Sequence, residues 1–199
     1  MISRRQMLFG VAVLPLLRPD HLIAPSPPAA RLVAAAHAQI GVTTIYDGAY
    51  RKIGYPGGDI EPERGVCTDV VIRAYRAALG LDFQSLVHED MQKNFSVYPA
   101  KWGLTGPDTS IDHRRVLNLM TFFVRKGATL AARETLQPGD LVTQMIAGEL
   151  PHISIVSDRP VPGTPRPLVI HNFGNGVEYA DILTRFPVTG RFRYLPAAA

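Results

Sequence analysis

Cysteine is nearly absent: Cys67 is the only one among 199 residues. A single thiol excludes an intramolecular disulfide framework and a multi-cysteine zinc site. Long apolar runs are missing too, since none reaches the roughly 18–20 residues that a membrane-spanning helix requires. Charge is sparse, at 19% of residues, and neither sign dominates. The chain has 21 basic and 17 acidic side chains; setting aside Arg4, Arg5, Arg18 and Asp20 near the start leaves 18 against 16. With so even a balance, and no basic run longer than Arg114-Arg115 or Arg125-Lys126, nothing marks a nucleic-acid partner. What is plentiful is glycine and proline, 17 of each. That excludes a mostly helical bundle and favours short elements with many loops. A hydrophobic share of 46% is too high for a disordered tail, and the length suits one domain.

The first thirty residues read as an export segment and linker. Ser3-Arg4-Arg5-Gln6-Met7-Leu8 resembles a twin-arginine export motif, although Phe9 stands where lysine is usual. Met7 to Leu17 follows as an apolar stretch of signal-peptide length, then Arg18-Pro19-Asp20 and a Pro/Ala-rich segment to Ala30. General secretion is the alternative route. The expected location is the periplasm or cell envelope, with residues 31–199 as a single domain lacking a transmembrane span.

Within that domain, Arg31 to Ile40 reads as a helix stopped at Gly41. Tyr46 to Gly65 holds five glycines and two prolines and reads as a loop. Cys67 to Leu79 places Val70, Val71, Ala74, Tyr75 and Ala78 on one helical face, closed by Gly80. A short helix is expected from Ser85 or Leu86 to Asn94, and another from Ser110 or Asp112 to Lys126. After Gly127 the pattern becomes strand-like: 141–146 after a Pro-Gly-Asp turn, 152–156, 168–172 and 190–194. Helices first and strands second predict an α+β fold with an antiparallel sheet.

Cys67 carries the strongest chemical signal. It opens a helix, where the dipole and free N–H groups favour a thiolate. A nucleophilic thiol needs a base. His152 starts one strand and His171 lies near the end of another, so neighbouring strands would let His152 take the proton and His171 orient it. The plain alternative is a small core cysteine with two structural histidines. Asn172 competes with His171 as orienter, but alternation puts them on opposite faces of a strand, which favours His171 for the role. His88-Glu89-Asp90 and Asp112-His113 are metal-ligand types without a ligand spacing, so no metal or other cofactor is expected. Asp112-His113-Arg114-Arg115 is read either as a capped helix start facing solvent or as a cleft wall that binds a carboxylate through Arg114 or Arg115. Tyr98 and Trp102 are read as groove lining or, more simply, as packing over the core.

Leu136-Gln-Pro-Gly-Asp140-Leu-Val, His152-Ile-Ser-Ile-Val156 and Val169-Ile-His171 together resemble the NlpC superfamily of papain-like cell-wall peptidases. Tyr55-Pro-Gly-Gly58 and Val66-Cys67-Thr-Asp69-Val-Val resemble its tyrosine/double-glycine loop and nucleophile helix, with Val66, Thr68 and Asp69 departing from the usual neighbours. Blocks from Ile40-Gly-Val-Thr to His171-Asn172, with Leu86-Val-His-Glu-Asp-Met91 and Ile111-Asp-His-Arg-Arg115 between, resemble the bacterial family called domain of unknown function (DUF) 1287. These resemblances imply an exported NlpC-like protein with a Cys67/His152/His171 triad. The expected substrate contacts are Tyr55, Asp69, Asp112, His113 and Asn172. The leading expectation is a thiol amide hydrolase, acting as a monomer on a peptidoglycan stem peptide or similar amide. A non-catalytic envelope binding module and a thiol acyltransferase are the alternatives.

Overall fold

The computed structural model describes residues 26–196. Most of the expected export segment lies outside the described residues. The first helix, α1 (Pro27–His37), begins four residues before the expected Arg31. Its prolines read as linker in the sequence, yet at the first helical positions a missing N–H costs nothing. Ala29 is buried with Leu32, Val33 and Ala36, so residues 27–30 pack with the domain.

Helix α2 (Cys67–Leu79) has the expected bounds, and Gly80 closes it at φ 68°. Helix α3 (Phe83–Asn94) starts earlier than expected because Asp82 accepts a hydrogen bond from the Gln84 N–H and Phe83 is fully buried. The expected helix from Ser110 or Asp112 is broken. Asp112–Arg114 forms one tight 3-10 turn, Arg115 is extended, and α4 runs only Val116–Arg125. The break buries Arg114 against α2 and leaves Arg115 beside a cleft. A continuous helix would set those two side chains only about 100° apart.

Two short strands, β1 (Ile45–Tyr46) and β2 (Arg64–Gly65), pair in parallel within the segment expected to be loop. The main sheet holds β3 (Leu141–Ile146), β4 (Leu150–Pro160), β5 (Pro167–Asn172), β6 (Val177–Ala180) and β7 (Val188–Phe192). Its order is β6-β5-β4-β3-β7 and every neighbouring pair is antiparallel, as the sequence predicts. Strand β6 was not expected: its four residues alternate too briefly to give a periodic signal.

The core lies between the helices and one face of the sheet, where Val71 and Tyr75 of α2 join Ile153, Ile155 and Ile170. Tyr75, Phe83, Phe122, Phe123, Phe192 and Tyr194 form an aromatic cluster. Burying a phenylalanine such as Phe83 contributes about 1.5–3 kcal/mol. Two contacts dock the β1–β2 segment onto the sheet end and so fix the start of α2. Val177 N–H donates to Thr43 C=O at 2.9 Å. Gly176, at φ 86°, lies so close to that chain that a Cβ there would sit 2.8 Å from the Thr43 oxygen. Among the described residues, no helix is long and apolar enough to cross a membrane.

Candidate functional site

Strand β2 delivers the chain directly to Cys67 at the first position of α2. The residue is buried, at 5% exposure. N–H groups of Ile153, Thr68 and Cys67 itself point at the sulfur and favour a thiolate. Burial outweighs them and pushes the thiol up to about 11. The sequence-based expectation that the helix terminus favours a thiolate is therefore met in direction by the N–H groups but reversed in sum by desolvation.

Cys67 packs in the core with Ile153, the residue that follows His152 on β4. Strand alternation puts His152 and His171 together on the other face of the sheet, away from Cys67, where His152 Nε2 lies 2.8 Å from His171 Nδ1 with the rings nearly perpendicular. That is the orienting contact the sequence predicts between these two residues. The other contact, a hydrogen bond from Cys67 Sγ to His152, is not formed among the described residues; His152 Nδ1 has no hydrogen-bond partner. Burial and the neighbouring His171 hold His152 down to about 3, and burial holds His171 down to about 4. The His171 Nε2 is buried without a partner, with Glu178 Oε1 4.0 Å away across the β5–β6 pair.

The start of α2 is held by a buried ion pair. Arg114 donates through Nε and one terminal nitrogen to the two oxygens of Asp69, at 2.8 and 2.9 Å. Asp69 also accepts from the Val66 N–H at 2.7 Å, which caps the helix end. The remaining Arg114 donors reach the carbonyls of Asp47 and Ala49. Asp69 and Arg114 thus brace the Cys67 position from behind.

A cleft of about 450 Å³ opens on Cys67 and Val66, walled by Tyr46, Tyr50, Trp102 and Arg115. Burial, Cys67 and Asp69 push the Tyr46 phenol up to about 12 although 46% of the residue is exposed. Tyr46 escaped the sequence reading because it sits in a glycine-rich stretch with no periodicity; only its strand pairing with Gly65 brings it to the thiol. Trp102 lies in the cleft wall with Arg115 stacked 4.1 Å above its ring, and Tyr98 is buried with its hydroxyl on Asp90.

The other expected contacts are dispersed. Tyr55 is exposed on a loop and packs edge-on against His88. Asp112 is buried and pairs with Arg115 at 3.0 Å, and burial raises its carboxyl. His113 is buried with Nδ1 unpartnered, and burial holds it down to about 4. Asn172 faces away from His171: its amide donates to Gly65 C=O at 3.0 Å, and its oxygen accepts from Gly174 N–H. It ties β5 to β2. No group of three or more His, Cys, Asp or Glu side chains suited to a metal ion occurs among the described residues.

A family model described as "Domain of unknown function (DUF1287)" matches residues 33–194. The Escherichia coli (strain K12) protein named "Uncharacterized protein YijF" is 50% identical over 165 residues, which cover 80% of this chain and 78% of that protein.

Proposed function

The chain belongs to the DUF1287 family, and from its site we propose that it is an exported thiol amide hydrolase of the cell envelope, built on an NlpC-like, papain-type scaffold. The observation that carries the reading is Cys67 at the first position of α2, opening on a cleft; the paired His152 and His171 of β4 and β5 supply the imidazoles the reading needs. Export rests on the pattern from Ser3 to Leu17, and the substrate class on the resemblance to cell-wall peptidases.

The proposed reaction requires β4 to present His152 on the Cys67 face; there Cys67 Sγ attacks the amide carbonyl carbon while its proton passes to His152 Nδ1. The carbonyl π electrons move onto oxygen, where N–H groups at the start of α2 and the Tyr46 hydroxyl are the nearby donors. Collapse breaks the C–N bond, and His152 returns the proton to the leaving amine. Water, losing a proton to His152, then cleaves the thioester to release the acid and restore the thiol. The site rests as a neutral thiol and a neutral imidazole, so proton transfer accompanies attack rather than preceding it.

Incubation of the purified protein with intact and digested peptidoglycan, read by mass spectrometry, tests this. New paired amine and carboxylate ends are expected, and Cys67→Ala should abolish them. Absence of any cleaved product with the native protein defeats the hydrolase reading.

A further inference from the structure

We propose that the cleft in front of Cys67 is a carboxylate-binding subsite formed by Lys101 and Arg115, so that its ligand is an acidic peptide or amide; as a substrate assignment this rests on the hydrolase reading. The cleft wall contains three cations, Lys101, Arg114 and Arg115, and no carboxylate. The acidic groups behind it are engaged elsewhere: Asp69 with Arg114, Asp112 with Arg115, and Asp47 with Arg51 and Arg64. Arg114 has both its outer faces bonded inside the protein and is not available. Arg114 is thus internal, contrary to the solvent-facing reading of Asp112–Arg115, and Arg115 faces the cleft.

Arg115 uses one terminal nitrogen on Asp112, and its guanidinium carbon lies 4.1 Å from the centre of the Trp102 ring. These contacts restrain the guanidinium and leave its other donors for a ligand. Lys101 is exposed and forms no ion pair among the described residues. A carboxylate between them would gain charge-assisted hydrogen bonds in a partly enclosed cleft. Tyr46, Tyr50 and Trp102 supply apolar area for the remainder of the chain.

Trp102 is the only tryptophan, so its fluorescence reports on this wall directly. The test titrates the full protein, and separately Cys67→Ala, with N-acetyl-alanyl-glutamate and with its fully amidated analogue. We expect a saturable change with the acid and at least tenfold weaker binding of the amide. Lys101→Gln and Arg115→Gln should each weaken the acid at least tenfold and leave the amide unaffected. Lys101 is exposed, so its variant keeps the test decisive should Arg115→Gln disturb Asp112. Equal affinity for acid and amide, no saturable change with either, or unchanged binding by Lys101→Gln overturns the proposal. Binding does not depend on the thiol: acid-selective binding without amide cleavage defeats the hydrolase reading alone, and cleavage without acid preference defeats the subsite alone.

Discussion

At Cys67 and His152, burial penalises the charged form of each partner, the thiolate on one side and the imidazolium on the other. Alkylation by iodoacetamide separates this resting state from a preformed ion pair. The rate should climb with pH through neutrality toward a midpoint near 11, without the plateau below pH 7 that a resident thiolate–imidazolium pair produces. Substrate turnover, which needs the base, should fall about 10²–10⁴-fold in His152→Ala, while alkylation at pH 10 changes little. The His152–His171 contact was legible because its signal is local, a histidine near each of two strand ends. The protonation state was not, since it depends on how much surrounding chain closes over the sulfur. Tyr55 illustrates the same limit, as its motif position suggests a site contact and its loop carries it to the surface beside His88.

The first turn of α2 depends on Asp69, which caps Val66 and neutralises the buried Arg114. Removing one partner leaves the other charged, desolvated and unpaired. Asp69→Ala should therefore cost about 3–5 kcal/mol in urea unfolding, with loss of the cap included. Asp181→Ala, which breaks the solvent-screened pair with Arg166, should cost far less. Similar losses in the two variants would argue against a buried brace at α2. Helix α2 itself was readable from its apolar face and terminal glycine. The break before α4 was not, because Val116, Leu119 and Phe123 keep helical spacing while the irregular residues just upstream are dictated by Asp69, far away in sequence.

Among the described residues, three histidines are buried and held neutral: His113, His152 and His171. Each is protonated more readily in the unfolded chain, where its pKa is about 6.5. Above that value they leave stability unchanged with pH. As pH falls from about 6.5 toward 4, the unfolded state gains protons that the folded state refuses, and stability drops by up to about 1.4 kcal/mol per pH unit for each histidine. Urea midpoints measured between pH 7.5 and 4.5 should show this decline, and His113→Gln should reduce its slope without touching the thiol site. A flat profile would contradict the burial of these rings. The α+β layering and the antiparallel sheet were legible from the switch in periodicity near Gly127. The docking of the β1–β2 segment against Thr43 and Gly176 was not, because it joins two irregular stretches by backbone contact alone.

The protonated state of Cys67 also governs how the protein ages. Peroxides attack thiolates, and a thiol held near 11 exposes only about one thiolate in 10⁴ at pH 7. The chain has no second cysteine to trap a sulfenic acid as an internal disulfide. A first oxidation would thus lead on toward sulfinic acid or to a mixed disulfide with an outside thiol. The same desolvation would protect Cys67 in an oxidising surrounding, where a standing thiolate with no resolving partner would be progressively lost.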